Sequence, residues 1–407
     1  MMNKFTVLIP TRDRAETLEG TLKTCLTQDY ENLEIIVSDN CSNDNTREIT
    51  EAFKDKRLRY LNTGKRLSMS GNFEFALQHV SDGFVMSIGS DDGLMPGAIP
   101  YVNSIVNEYG VEAVSCRQAT YVWPNFPDQT LAGRFWAGPV RDDVEIRHSR
   151  EWLERTLKFE AFYCFELPNF YCGFVHRRVI DRGMAGGRYF HSITPDAYSA
   201  MLNALLVEKY AFSHRPFVIA GASGKSNGAS SLNQKGDDAE YQKFRQENEI
   251  PEARGFVECP SFETVLGEAA MKLAEIHPQS GIAHMLDLEA MLAMALHHAN
   301  ERTRESVVSA VTIMAQNFRM NMRTIEARAK TRTYQDTTRA TFRHRLKAVI
   351  TNQVSEFRNT QAYGVQSIDQ AADLSGKAAS IPPEAMRFAR NDIIGPVWSG
   401  FLRSLKV

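Results

Sequence analysis

Three short, nearly continuous apolar runs mark the first hundred residues: Phe5 to Ile9, Leu33 to Ser38 and Phe84 to Ile88. Runs of this kind predict parallel strands covered on both faces, because a strand with one wet face would alternate apolar and polar positions. Between the first two, Leu18, Leu22, Cys25 and Leu26 recur at helical spacing after the polar turn Thr11 to Arg14. A second helix is expected after an N-cap at Asn43 or Asp44, burying Ile49 and Phe53. This βαβ alternation predicts a doubly wound parallel sheet with right-handed crossovers. From Ala113 to Ala220 the pattern is mixed, with strands near Ala113 to Arg117, Phe174 to His176 and Phe217 to Ile219, and a helix from Pro195 to about Glu208. Gly221 to Asp238 holds four glycines and four serines, the composition of a loop. From Ser261 onward Ala, Met, Leu and Glu are spaced for amphipathic helices. The expected organisation is an α/β domain over 1–220, a loop or linker over 221–260 and a helical region over 261–407.

Composition narrows this picture. A chain of 407 residues is long enough for at least two cores. Its 43% hydrophobic and 24% charged residues are those of a folded globular protein. The N-terminal apolar run is shorter than a signal-peptide core, and no uncharged stretch reaches the length of a membrane span, so the chain reads as cytoplasmic. Six scattered cysteines without a C-x-x-C pair suggest neither a zinc knuckle nor a disulfide framework. The net charge of −2 hides an asymmetry: residues 301–407 carry 17 Lys and Arg against 9 Asp and Glu, a net of +8.

In an open parallel sheet, ligands bind beyond the carboxyl ends of the strands. The three segments there are polar: Pro10-Thr11-Arg12-Asp13-Arg14, Ser38-Asp39-Asn40 and Gly89-Ser90-Asp91-Asp92. Adjacent carboxylates on extended backbone point to opposite sides, so Asp91 and Asp92 are expected to divide two tasks. A hard cation held by carboxylate oxygens would neutralise a diphosphate.

In these segments the chain resembles the family 2 glycosyltransferases, over roughly residues 4–220. Residues 10 to 14 read P-T-R-D-R against the family's P-T-x-N-R-like turn, and Val37 to Thr46 reads V-S-D-N-C-S-N-D-N-T against its acidic, Ser/Asp/Asn/Thr-rich second turn. Asn72 to Leu77 matches N-x-x-x-A-L, followed by a strand, S-D-D and Pro96 in the family's order. The resemblance implies a GT-A fold and a nucleotide diphosphate sugar donor. It implies nucleotide contacts from Pro10, Thr11, Arg12, Arg14, Asp39, Arg66 and Asn72, with Asp39 reading the base and Asp91 the ribose. Asp92 would ligate Mn²⁺ or Mg²⁺. The chain departs from the family where Gly71 precedes Asn72 instead of arginine, and where Gly89 replaces an additional Asp; Arg66 is the nearby charge. Arg12 and Arg14 fit either diphosphate contacts or salt bridges within the domain.

Inverting transfer needs a base for the acceptor hydroxyl. The family places an acid at a helix start about a hundred residues after the acidic motif, where Thr194-Pro195-Asp196 stands. Asp196 is the catalytic candidate, and Glu208 the weaker alternative. Lys225 and Ser226 sit in the glycine-rich stretch, which reads either as a lid over the diphosphate or as a linker. The basic stretch Arg319 to Lys347 fits peripheral contact with an anionic membrane carrying lipid-linked acceptors, an acidic glycan, or packing within the chain or a homo-oligomer. No recognised module points to nucleic acid. Two other classes stay open: a sugar-nucleotide nucleotidyltransferase, against which the absence of glycine in P-T-R-D-R counts, and an inactive scaffold, against which the four aspartates together count.

Overall fold

The computed structural model describes residues 1–138, 141–226, 246–331, 334, 343–344, 346–347, 354–374 and 385–388. The expected first half is present as β1 (Phe5–Thr11), α1 (Ala15–Leu26), β2 (Leu33–Asp39), α2 (Thr46–Ala52), β3 (Leu58–Asn62), α3 (Met69–Leu77) and β4 (Phe84–Ser87). Phe5, Val7 and Ile9 of β1 share one apolar cluster with Leu18, Leu22 and Cys25 of α1, while Leu8 belongs to a second cluster with Leu77 of α3. The strand is therefore covered on both faces, as its apolar run requires. The second helix differs in detail: Asn45 is its N-cap, Asp44 accepts from the Thr46 amide, and the buried positions are Thr46 and Thr50, with Ile49 and Phe53 only partly covered.

There follow β5 (Gly93–Leu94), α4 (Ala98–Tyr109), β6 (Ala113–Cys116), β7 (Ala119–Val122), β8 (Phe135–Trp136), β9 (Val144–His148) and α5 (Ser149–Leu157). Next come β10 (Phe174–His176), α6 (Arg177–Gly183), α7 (Pro195–Leu206), β11 (Lys209–Ser213) and β12 (Val218–Ala222). The main sheet has eight strands in the order β3-β2-β1-β4-β10-β6-β11-β9. It is mixed and not wholly parallel, because β10 runs antiparallel to both β4 and β6, and β9 antiparallel to β11. A second sheet, which periodicity did not foretell, runs in the order β14-β13-β8-β7-β12-β5, with β13 (Val354–Phe357) and β14 (Met386–Phe388). Its β12 is the strand expected near Phe217 to Ile219; the others are two to four residues long, too short for a pattern to emerge.

The helical region begins at Phe262–Ile276, as the composition predicted, and continues through Leu288–His298, Arg304–Asn317 and Met322–Ala329. The boundary at residue 260 does not divide the core. One apolar cluster joins Phe159, Phe190 and Leu202 to Leu266, Leu273, Met291 and Val311. Later, Phe357 and Ile368 pack with Tyr121, Trp123 and Phe135 of the second sheet.

Arg147 of β9 ties the far edge of the main sheet to this core. Its side chain is 3% exposed, donates to Glu166 at 2.7 Å and to Glu145 at 2.9 Å, and lies between the rings of Trp152 (3.7 Å) and Phe212 (3.6 Å). Arg147→Ala removes one partner of a buried pair and both ring contacts, although Glu166 keeps Arg117 at 2.6 Å. The expected loss is about 3 kcal/mol, the low end for a broken buried pair. A urea unfolding curve with an unshifted midpoint would contradict it.

Candidate active site

The strands β1, β2 and β4 end side by side, with Thr11 paired to Asp39 in register. Their terminal residues therefore form one polar rim. Asp39 is 2% exposed, and its carboxylate accepts from the Ser42 amide at 2.9 Å, the Tyr60 hydroxyl at 2.6 Å and, more weakly, the Asn62 amide at 3.3 Å. Burial and the Asp39 carboxylate push Tyr60 up to about 12, so it stays a donor. Among the described residues the oxygen facing Ser42 carries a single donor, and a carboxylate oxygen accepts about two, so it keeps acceptor capacity. Beside it the Thr11 hydroxyl is buried and has no hydrogen-bond partner among the described residues. Pro10 lies half-buried beside Ser38 in the ladder. Asn72, expected at the nucleotide, faces inward instead: its amide exchanges hydrogen bonds with the side chain and carbonyl of Ser38 at 2.7 and 3.1 Å and holds the end of β2.

Asp91 and Asp92 sit at a turn closed by the Asp92 amide on the Gly89 carbonyl, not on the extended backbone expected, and they face different neighbours because of β12. Asp92 is 2% exposed; one oxygen accepts from the Gly89 amide (2.7 Å) and the Tyr171 hydroxyl (2.5 Å), with the Cys172 thiol at 3.8 Å, and the other accepts from the Gly221 amide at 2.7 Å. Burial, then the neighbouring charge of Asp91, push its carboxyl up to about 6 against the pull of those donors. Asp91 faces the other way. Its Oδ2 accepts from the hydroxyls of Ser223, at 2.6 Å, and Ser226, with the Arg14 guanidinium 3.9 Å away. Its Oδ1 accepts no hydrogen bond from the described residues. A Cβ at position 89 would stand 2.9 Å from that oxygen and 3.0 Å from the Tyr171 hydroxyl, so an aspartate where Gly89 sits would require these side chains to shift.

Arg12 and Arg66, expected at a diphosphate, both face Glu247: Arg12 is paired with it directly and Arg66 lies 3.9 Å from it and 3.3 Å from Asp13. Lys225 reaches the Asp13 carbonyl at 3.3 Å and Glu16 at 3.5 Å, so the segment after β12 lies over this rim as far as it is described, to Ser226.

Asp196 stands in the first turn of α7, partly buried, and accepts the Tyr163 hydroxyl at 3.1 Å. Burial raises its carboxyl above the ordinary range, with the Ala197 amide and Tyr163 pulling it back. The buried Cys172 thiol lies 3.8 Å from Asp92, and burial, then the charges of Asp92 and, more weakly, Asp196, push it up. Glu208 is exposed at the amino end of β11, opposite the rim, which removes it as an alternative base.

A family model for Glycosyl transferase family 2 matches residues 6–172, the segment that builds this rim. Residues 6–172 belong to that family. A GalNAc(5)-diNAcBac-PP-undecaprenol beta-1,3-glucosyltransferase of Campylobacter jejuni is 36% identical over 110 residues, 26% of this chain and 36% of its own. A UDP-Glc:alpha-D-GlcNAc-diphosphoundecaprenol beta-1,3-glucosyltransferase, WfgD of Escherichia coli, is 30% identical over 86 residues, 21% of this chain and 34% of its own. The match thus spans about a third of the length of these curated relatives. Among solved structures, S. aureus TarS 1-349 in complex with UDP-GlcNAc gives a TM-score of 0.44 at 14% identity, covering 78% of this chain and 92% of that one, a likeness too distant to carry an argument.

Asp91 with Ser223 and Ser226 offers only oxygen, as Mn²⁺ and Mg²⁺ prefer. A second cluster, Asp143, Glu145 and His214, brings three ligand atoms together at the β9–β11 edge. There Arg141 donates to both carboxylates at 2.7 and 2.6 Å and Arg147 to Glu145 at 2.9 Å, so the two acids are already neutralised. It lies three to four strands from β4, about 14–19 Å at the usual strand spacing. Tyr163, Tyr171, Ser223 and Glu247 escaped sequence reasoning; each reaches the rim from a remote stretch with no motif of its own.

These contacts make Asp92 a clamp. Asn at position 92 would turn an –NH₂ toward at least one amide that now donates, leaving buried donors unpaired at about 1–3 kcal/mol each. Asp92→Asn is therefore expected to lower the thermal midpoint by several degrees, whereas Asp91→Asn should not; equal midpoints for the two variants in calorimetry would refute the distinction.

Proposed function

We propose that this chain is an inverting glycosyltransferase that moves one sugar from a nucleotide diphosphate donor, UDP- or dTDP-linked, to a hydroxyl of a lipid-linked glycan. The observation that supports the reading is the polar rim at the ends of β1, β2 and β4, where Thr11, Asp39 and Asp91 come together within the segment that matches the family 2 model. The relatives' names, both glucosyltransferases of undecaprenol-linked sugars, favour the lipid-linked acceptor.

In this reading Thr11 and Asp39 receive the base, and Arg14 lies toward the diphosphate. Asp91, not Asp92, holds the divalent cation through its open oxygen, with Ser223 and Ser226 beside it. The cation, Mn²⁺ or Mg²⁺, supplies positive charge to the leaving diphosphate. Asp196 takes the proton from the acceptor hydroxyl as its oxygen attacks the anomeric carbon; the donor C–O bond breaks and its electron pair leaves with the nucleotide diphosphate. Single displacement inverts the centre. The segment Ser223–Ser226 limits water at the reacting carbon. Among the described residues no helix is long and apolar enough to cross a membrane. Part of the basic stretch lies outside the described residues; within the rest Arg328 pairs with Asp287, Lys347 pairs with Asp142 and His344 lies 3.3 Å from Asp143, which favours packing within the chain over membrane contact for those residues.

The direct test is calorimetry of UDP with and without Mn²⁺. Parent protein should bind more tightly with metal, and Asp91→Asn should lose that increment while still binding UDP; an increment retained in full removes Asp91 from the role.

For the chemistry, Asp196→Asn should lower kcat by about 10²-fold or more while sparing donor affinity. Because Asp196 acts ionised and its carboxyl is raised by burial, kcat/KM should fall toward acid pH on a limb above the ordinary carboxylate range. Tyr163→Phe removes a donor that stabilises the ionised form, so the limb should move to higher pH; a limb that stays put or moves down contradicts the assignment.

Arg12 and Arg66 must exchange Glu247 for the donor's phosphates. Glu247→Gln should therefore tighten UDP binding, by roughly 3- to 10-fold if the exchange costs what partly exposed ion pairs are worth. Weaker or unchanged binding by the same calorimetry would show that Glu247 does not compete.

A further inference from the structure

A cavity of about 330 Å³ lies between the helices Phe262–Ile276 and Leu288–His298 and the loop that carries Phe162. Ligand cavities start at about this size. One wall is aromatic. Phe162, 41% exposed, meets the edges of Phe262 at 5.6 Å and Tyr334 at 5.2 Å, and His298 stacks on Tyr334 at 5.1 Å with 11° between the planes. The opposite chemistry sits at its base. Glu263, 4% exposed, accepts from His298 Nδ1 at 2.7 Å, Tyr334 at 2.6 Å and Ser261 at 2.5 Å, and Asn300 stands at the rim. Burial works to raise the Glu263 carboxyl, but these three donors outweigh it and hold it below the ordinary range, so the base of the cavity is a fixed anion. With Nδ1 given to Glu263, a neutral His298 keeps Nε2 as an acceptor.

The cavity adjoins the candidate base. Tyr163, whose hydroxyl donates to Asp196, has its ring 5.4 Å from that of Phe262, the same ring that meets Phe162. An acceptor sugar with its reacting hydroxyl at Asp196 would send the rest of its glycan this way.

We propose that this aromatic cleft is a subsite for a pyranose ring of the acceptor glycan, one unit removed from the sugar that receives the transfer. The proposal rests on the glycosyltransferase reading for its place in the reaction. A pyranose has an apolar C–H face, which an exposed phenyl ring covers, and a rim of hydroxyls, which an acceptor nitrogen and a side-chain amide can bond. A polyprenyl chain, the other component of a lipid-linked acceptor, is poorly matched, since it would bring only apolar surface to a buried carboxylate and an imidazole.

The test uses saturation-transfer NMR on the full chain, with methyl pyranosides of glucose and galactose and their 2-acetamido counterparts as probes, and farnesyl diphosphate as the lipid probe. At least one pyranoside should take up saturation at its ring C–H protons. Phe162→Ala and His298→Ala should each reduce it by roughly 5- to 10-fold, the scale of one lost ring contact. Phe162 is 41% exposed and stands at the surface end of its ring cluster, so its variant should melt within a few degrees of the parent. Pyranoside signals absent in the parent, or unaltered in both variants, overturn the subsite, as does a loss in both variants confined to farnesyl diphosphate. UDP binding is measured on the same samples: pyranoside binding lost in the variants while UDP never binds would retain the cleft as a sugar site and remove the glycosyltransferase reading, whereas UDP binding without any pyranoside signal removes the cleft alone.

Discussion

The Asp92 carboxylate joins the two sheets of this protein, and the rest of the candidate site takes its position from that contact. It collects amides from the end of β4 and from β12 and a hydroxyl from Tyr171 just before β10. The approach is so close that a Cβ at Gly221 would fall 1.7 Å from the Asp91 carbonyl oxygen, so only glycine fits there. The Asp91 carbonyl is also held by the Trp123 indole at 2.9 Å. The buried Asp91 side chain turns its Oδ2 to the hydroxyls of Ser223 and Ser226. A buried carboxylate is costly unless it is well supplied with donors, and here the donors come from three separate parts of the chain.

Charge is arranged in the same economical way around the rim. Arg12, Arg14 and Arg66 bring three positive groups to the ends of β1 and the loop before α3, and acids from elsewhere, Asp91, Asp13 and Glu247, stand against them. An anionic donor would meet a site whose cations already have protein partners. Its affinity then depends on the difference between two sets of ion pairs, not on the number of arginines.

The helical region contributes more than bulk. Its first helix packs on α7, the element that carries Asp196, and Glu268 on that helix accepts from Ser192 at 3.1 Å and from the Ala253 amide at 3.0 Å. Ser192 in turn gives its carbonyl to Ser70 at 2.6 Å, at the start of α3. The candidate base is thus positioned between the family 2 segment and the helices that follow it, and the aromatic cleft exists only because both are present.

Much of this was legible in the amino-acid order. The apolar runs of β1, β2 and β4, the helical spacing of α1 and the three polar turns are local signals, set by which side chains must be covered within a few residues, and they located the rim and the acidic pair. The helix that begins at Pro195 placed Asp196 for the same reason. What the sequence could not determine is which oxygen of which aspartate stays open. That depends on Gly221, Tyr171 and Ser223, between 79 and 132 positions from their partners. The short strands of the second sheet, the reversed direction of β10, the inward turn of Asn72 and the pairing of Arg12 with Glu247 were likewise decided by tertiary contact. Each is a hydrogen bond or ion pair between segments far apart in the chain, whose residue types would look the same in solvent, and only folding brings donor and acceptor within reach.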